Sequence, residues 1–281
     1  MDDGKLRLIT MRTIRLIALD LDDTLLRTDL SISFRTKNTI KRCLAAGIKV
    51  ILASGRVYNA VYPYVKMLTL QKCNGYVICE NGSLIQEAAT GKVVEQTTLL
   101  PKSALAAFNL VDAEGFPAQI YENGVAYVSR KNEFAIYEKK LTGMQQSVPP
   151  DFRELIVSGC HKIVIPGDPM LLKQLEVILR NFMEDEITIF TSKPYYLEIL
   201  PPATDKGTAL AKAAARLGIK QEEVMAVGDS MNDEAMIRWA GCGVAMRNGD
   251  ERIKKIARFV TEKSNDEDGV AIAIEQYALK A

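Results

Sequence analysis

Three carboxylates stand within four residues at Asp20, Asp22 and Asp23, directly after an apolar run at residues 14–19. The run reads as a buried strand. An unpaired charge at the edge of a core is costly, so an acid cluster in that place asks for a reason. Asp20 and Asp22 repel each other unless a cation or a shared proton lies between them. A site with few oxygen ligands suits Mg²⁺. A solvated turn, where Asp is common, would account for the same residues. Further along, Ser54 follows a second apolar run, Lys206 stands just before a helix, and Asp229, Asn232 and Asp233 follow a third run.

The elements between these groups say whether they can meet. Residues 33–46 carry Ile40, Leu44 and Ala45 near helical spacing and end at Gly47. Residues 48–53 are a second strand, closed by Ser54-Gly55-Arg56; a helix follows that Pro63 must begin or kink. Residues 76–79 form a third strand, ending in Glu80-Asn81-Gly82. Strands alternating with helices indicate an α/β fold, a doubly wound parallel sheet. Ligands of such sheets bind beyond the carboxyl ends of the strands, which is where each polar cluster falls.

The rhythm changes after residue 82. A hairpin is expected at residues 83–98 about Thr90-Gly91, a helix at 103–113, and a second hairpin turned by Asn123-Gly124. Strands at 161–165, 187–191 and 196–200 and a helix at 170–182 follow without strict alternation. This pattern predicts an inserted α+β module at residues 86–197, within an α/β core of residues 1–85 and 198–281. The α/β rhythm resumes with a helix at 208–217, strands at 223–227, 243–246 and 258–261, and a closing helix from Asp268.

If all four strand ends share one crevice, they bring together carboxylates, a hydroxyl and an ammonium, the set phosphoryl transfer needs. A carboxylate attacking phosphorus divides a slow displacement into two easier ones through an acyl phosphate. A phosphate dianion repels that carboxylate until cations neutralise it, which Mg²⁺ between Asp20 and Asp229, with Lys206, would do. Ser54 and nearby backbone N–H groups can donate to phosphate oxygens. Asp22 would protonate the leaving alcohol and then deprotonate water.

The constellation closely resembles the haloacid dehalogenase (HAD) superfamily of phosphohydrolases. Asp20-Leu21-Asp22-Asp23-Thr24 matches its DxDxT motif, Ser54 the second, Lys206 the third, and Gly228-Asp229-Ser-Met-Asn232-Asp233 the GDxxND fourth. Ser-Gly-Arg, Glu-Asn-Gly, Lys-Gly-Thr-Ala-Leu and the insertion after the third strand look like the Cof-type branch with a C2B cap. The resemblance spans residues 12–279. It implies that Asp20 is the nucleophile and Asp22 the general acid/base. It implies Mg²⁺ on the Asp20 side chain, the Asp22 carbonyl and Asp229, with Asn232 and Asp233 completing the metal and lysine surroundings. Ser54, Gly55 and Lys206 would bind phosphate; Asn81 and Gly82 could border the substrate. Asp23 departs from the Gly that many relatives carry. The implied activity is a Mg²⁺-dependent phosphatase of small phosphorylated metabolites such as sugar phosphates or phosphorylated cofactors. A phosphomutase and a phospho-Asp signalling receiver are the alternatives.

Composition narrows the partners. Thirty-six basic against thirty-five acidic residues leave +1, with no basic stripe for nucleic acid. No apolar run reaches the ~18 residues of a membrane span. Five scattered cysteines without a CxxC pair point away from disulfides and zinc and toward a reducing cytoplasm. A monomer or weak homo-oligomer is expected, and Met1 and Met11 both stand as candidate starts. His161 and Trp239 read as packing residues; Tyr195-Tyr196 could line the pocket of the inserted module or pack its sheet; Arg56 could reach phosphate, but a structural ion pair near the site is expected.

Overall fold

The structure is a computed structural model that describes residues 13–122, 124–134 and 143–279. Met1, Met11 and the Asn123 half of the expected turn lie outside the described residues.

In chain order, β1 (Leu16–Leu19), α1 (Phe34–Ala45), β2 (Lys49–Ala53), α2 (Tyr58–Met67), β3 (Tyr76–Cys79), β4 (Leu84–Glu87) and β5 (Val93–Gln96) open the fold. Then come α3 (Pro101–Ala113), β6 (Gln119–Glu122), β7 (Val125–Val128), β8 (Gln145–Ser147), α4 (Phe152–Val157), β9 (Ile163–Pro166), α5 (Pro169–Met183), β10 (Thr188–Lys193) and β11 (Tyr196–Leu200). The chain closes with α6 (Lys206–Arg216), β12 (Val224–Gly228), α7 (Glu234–Trp239), β13 (Cys242–Ala245), α8 (Glu251–Ile256), β14 (Phe259–Val260) and α9 (Gly269–Tyr277). Two sheets result.

The first sheet runs β14-β13-β12-β1-β2-β3-β4-β5 and is parallel from β14 to β3. Strands so placed are covered on both faces, which explains why Leu16, Ile17, Ala18 and Leu19 are all apolar and all buried. Helices end where their sequences say: Ser33 caps α1 by accepting from Thr36 N–H, and Asp205 caps α6 by accepting from Thr208 N–H. Pro63 lies inside α2, not at its start. The order of strands reverses at β1, whose neighbours are β2 and β12. Leu19 is paired with Val227, so the chain leaves both strands side by side. That reversal is the crevice of a doubly wound sheet.

The hairpin expected to open the inserted module belongs to this first sheet instead. β4 pairs antiparallel with β3, and β5 with β4. A division at residues 85/86 would therefore cut through β4, and one at 197/198 through β11, which belongs to the second sheet. Antiparallel return after β3 costs only a short turn, and the period-2 pattern carries no mark of which sheet a hairpin joins.

The second sheet runs β10-β11-β9-β6-β7-β8, antiparallel except for β7 and β8. Its core packs Phe108, Val111, Ile156, Leu172, Leu175 and Leu179 of α3, α4 and α5 against Ile163, Ile165, Leu197 and Ile199. Side chains alternate along a strand, so Lys162, Val164, Tyr196 and Glu198 take the other face. Strand β8 and helix α4 carry too few residues to show a periodic signal. All five cysteines are free. No helix of the described residues is long and apolar enough to cross a membrane.

Gly82 sits at φ +104°, and a Cβ there would lie 2.2 Å from the Asp205 carbonyl oxygen. It is the contact that seats the start of α6, and with it Lys206. Gly82→Ala is expected to destabilise the fold by about 3 kcal/mol, from backbone strain and overpacking. Urea unfolding checks this; an unchanged midpoint would remove the contact's role.

Candidate active site

Lys206, the first residue of α6, is fully buried. Its Nζ donates to Asp20 Oδ1 at 2.6 Å and to Asp233 Oδ1 at 2.7 Å. Asp233 spends its other oxygen on the N–H groups of Asp229 (2.9 Å) and Ser230 (3.1 Å). Asp233 thus closes the turn after β12 and holds Asp229 beside Asp20. Thr24 adds a hydroxyl donated to Asp229 Oδ1 at 2.9 Å. Asp20, Asp229 and Asp233 place carboxylate oxygens within 4.8 Å of one another. The two ends of the sequence's acid pattern meet, as their neighbouring strands require.

Such crowding changes their acidity. Burial, then repulsion from Asp233, pushes Asp20 up to about 7. Burial, then repulsion from Asp20 and Asp233, pushes Asp229 up to about 9. Asp22 goes the other way: burial favours its neutral form, but the Arg56 hydrogen bonds and charge outweigh it and hold the carboxyl below its usual range. Arg56 pairs with Asp22 through both oxygens, at 2.9 and 2.5 Å. The ion pair expected for Arg56 is present, and its partner is an active-site acid.

Asp23 takes a left-handed conformation at φ +60°, which explains why Gly serves at this place and why Asp, among the more tolerant residues there, also does. Its carboxylate meets Lys193 of β10 at 2.8 Å. Five carboxylates (Asp20, Asp22, Asp23, Asp229, Asp233) therefore face three cations (Arg56, Lys193, Lys206). With all five ionised, two negative charges are left over, and one divalent cation would neutralise them and favour the ionised forms of Asp20 and Asp229. Asp20 and Asp229 each keep one oxygen without a donor among the described residues, whereas both Asp233 oxygens are taken. Hard oxygen donors of this kind could hold a divalent cation such as Mg²⁺ between Asp20 and Asp229, with Asp233 as their support.

Asp20, Asp22 and Asp229 open onto a cavity of about 270 Å³. Gly55 also lines it, as do Tyr121, Lys162, Tyr196 and Glu198 from the second sheet. Ser54 is buried behind this surface, its hydroxyl accepting from Arg56 N–H at 3.1 Å. Lys206 lies beneath Asp20 and does not line the cavity. Asn81 bridges the two sheets, donating to Glu198 at 2.8 Å and accepting from Asn232 at 2.9 Å. A Cβ on Gly55 would meet Asn81 Nδ2 at 2.9 Å, so the glycine permits that bridge. Gly82 touches α6, not the cavity. His161 meets the Thr97 carbonyl and Trp239 packs on the first sheet's core, both away from the cavity.

Sequence reasoning missed Lys162, Lys193, Glu198 and the role of Thr24. A signal existed for two of them: Lys162 and Glu198 interrupt apolar strands at alternate positions, on the face opposite Ile163, Ile165, Leu197 and Ile199.

Clustered acids and a buried lysine at the switch point of a doubly wound sheet define a hydrolase built for phosphoryl chemistry. Residues 17–274 match the model of the haloacid dehalogenase-like hydrolases. YxeH of Bacillus subtilis is 34% identical over 272 residues, 94% of this chain and 98% of its own. The 5-amino-6-(5-phospho-D-ribitylamino)uracil phosphatase YcsE of Bacillus subtilis is 30% identical, over 95% of this chain and 96% of its own. The crystal structure of a haloacid dehalogenase-like hydrolase from Bacteroides thetaiotaomicron superposes with TM-score 0.84 at 32% identity, over 94% of this chain and 99% of that one. The chain belongs to the haloacid dehalogenase-like hydrolase family and is a phosphatase within it.

Raised carboxyls set a pH test. A value above the ordinary 3.8 gives stability that is full below about 4 and is lost as pH rises through about 7 for Asp20 and about 9 for Asp229. A divalent cation relieves the repulsion that grows over this window. Saturating Mg²⁺ is expected to raise the thermal midpoint by roughly 5 °C or more at pH 8.5 and by clearly less at pH 6. Differential scanning fluorimetry reads it; an equal rise at both pH values would contradict the assignment.

Proposed function

We propose that the chain is a Mg²⁺-dependent phosphatase that hydrolyses a small phosphorylated metabolite through an aspartyl-phosphate on Asp20. The observation that carries this reading is the shared cavity: Asp20, Asp22 and Asp229 face Lys162, Tyr196 and Glu198 across about 270 Å³. That volume lies just under the ~300 Å³ lower bound of ordinary ligand sites, which suits a metabolite and not a folded protein. On this reading residues 97–200 are a Cof-type C2B cap, drawn from the membership of the second sheet.

The chain's own residues divide the work. Asp20, ionised beside Lys206, attacks phosphorus; the ester oxygen departs with a proton from Asp22. Water then attacks the acyl phosphate while Asp22 recovers the proton, and inorganic phosphate leaves. Bound Mg²⁺ supplies positive charge that lets two anions approach each other. Arg56 keeps Asp22 ionised in the empty site, the form that can deprotonate water. A phosphate dianion arriving beside Asp22 opposes Arg56 and favours the protonated form that the first half-reaction needs. On this reading Gly55, which lines the cavity, would offer its N–H to the phosphoryl group, with the Ser54 hydroxyl behind it. The cap face excludes water during the transfer.

The printed substrate of YcsE, a phosphorylated ribitylamino-uracil, supports a substrate of metabolite size. A phosphomutase would return the phosphoryl group to its substrate, and a receiver would keep it on Asp20; release of free phosphate separates both from a phosphatase. Asp20→Asn is expected to cut p-nitrophenyl phosphate turnover by about 10⁴-fold or more, and Asp22→Asn by about 10²–10⁴-fold. Both variants should keep the wild-type circular dichroism spectrum. Substantial turnover by Asp20→Asn would remove the nucleophile.

A further inference from the structure

Lys162 and Glu198 form a buried ion pair on the cap face of the cavity, with 5% and 6% of their side chains exposed. The ammonium is fully engaged. It donates to the Gly55 carbonyl at 2.7 Å and to Glu198 Oε2 at 3.2 Å, and lies 5.1 Å from the Tyr121 ring centroid. Glu198 Oε2 also accepts from Asn81 at 2.8 Å. Glu198 Oε1, in contrast, has no donor among the described residues, although the residue lines the cavity. That oxygen opens onto the cavity, so a substrate that displaces water there must bring it a donor or leave it unpaired.

The nearby charges decide which ligand group can supply it. Arg56 is held by Asp22, Lys193 by Asp23 and Lys206 by Asp20 and Asp233, so no cation among the described residues of this wall is left to receive a second anionic group. A carboxylate or second phosphate brought against Glu198 would face a like charge in a desolvated site. A hydroxyl meets the need, because it donates one hydrogen bond and brings no charge.

We infer that Glu198 is a specificity-determining residue that accepts a hydrogen bond from a hydroxyl of the substrate's leaving group, and that it selects polyol and sugar phosphates over phosphomonoesters carrying a carboxylate. This rests on the phosphatase reading above and names the substrate class within it. Lys162 is the positioning residue: it fixes Glu198 against the loop that carries Gly55, so the acceptor is in place only when the cap is seated.

Matched substrates test the inference. Sorbitol 6-phosphate and 6-phosphogluconate differ at the far end of the chain, as do glycerol 3-phosphate and 3-phosphoglycerate. Wild-type enzyme in Mg²⁺ is expected to favour the alcohol of at least one pair by tenfold or more in kcat/KM. Glu198→Gln should shrink that ratio below threefold, chiefly through a lower KM for the carboxylate member. Lys162→Met removes the counter-charge of a nearly buried carboxylate, which then takes up a proton, so this variant too should shrink the ratio. A general loss of cap packing would lower both members alike in both variants. Turnover of p-nitrophenyl phosphate with no alcohol preference in wild type would overturn this inference alone. So would an unchanged ratio in folded Glu198→Gln, or, if that variant does not fold, in Lys162→Met. Absence of any p-nitrophenyl phosphate turnover would overturn the phosphatase reading and this inference with it.

Discussion

A fully buried ammonium, that of Lys206, ties the carboxyl end of β1 to the turn after β12. Taking an ammonium out of water costs several kcal/mol, and only close carboxylates return it. Asp20 and Asp233 do so from two different strands. Asp233 passes the constraint on through its second oxygen, which fixes the N–H groups that orient Asp229. The arrangement is poor value as stability alone, since apolar packing would do as well. Its effect is to hold two carboxylates, Asp20 and Asp229, side by side against their repulsion, at the crevice where the order of strands reverses.

The second sheet completes this site from above. Its helices cover one face with an apolar core of their own, which leaves the alternate residues of β9 and β11, with Lys162 just before β9, free to be polar. Polar contacts that join that face to the first sheet's layer include Lys162 to the Gly55 carbonyl, Glu198 to Asn81, and Lys193 to Asp23, and Val57 and Ala60 pack against Ala126 and Met144 beside them. The first two are buried and joined to the site through Asn81 and Asn232; the third is half-exposed, where an ion pair is worth about 0–1 kcal/mol.

Much of the site was legible because its residues sit at strand ends, where an apolar run meets a charge and the mismatch is visible in one dimension. Asp20, Asp22 and Asp229 show that mismatch, Ser54 marks the end of an apolar run, and Lys206 opens a helix instead and is legible through its motif. Glu198 and Lys162 show a weaker one: each is a single charge flanking apolar neighbours, and only the three-dimensional sheet tells which face it takes. Lys193 shows none, because its meaning depends on a loop 170 residues earlier. Arg56 was placed near the site, but its partner was not, since a guanidinium can reach several acids and the sequence carries no distances. The hairpin of β4 and β5 joins the first sheet and not the second for a related reason: its pattern specifies a hairpin, while its partner strand is specified only by packing. Asp23, an oddity in the motif, is explained by a positive φ that no composition reveals.

Five acids meet three bases at one crevice, an arrangement that one divalent cation would neutralise. Isothermal titration of Mg²⁺ into the metal-free protein at pH 7.5 tests this directly. The arrangement predicts a single site per chain, lost in Asp229→Asn and kept in Asp22→Asn. Two sites per chain, or binding that survives Asp229→Asn unchanged, would contradict it.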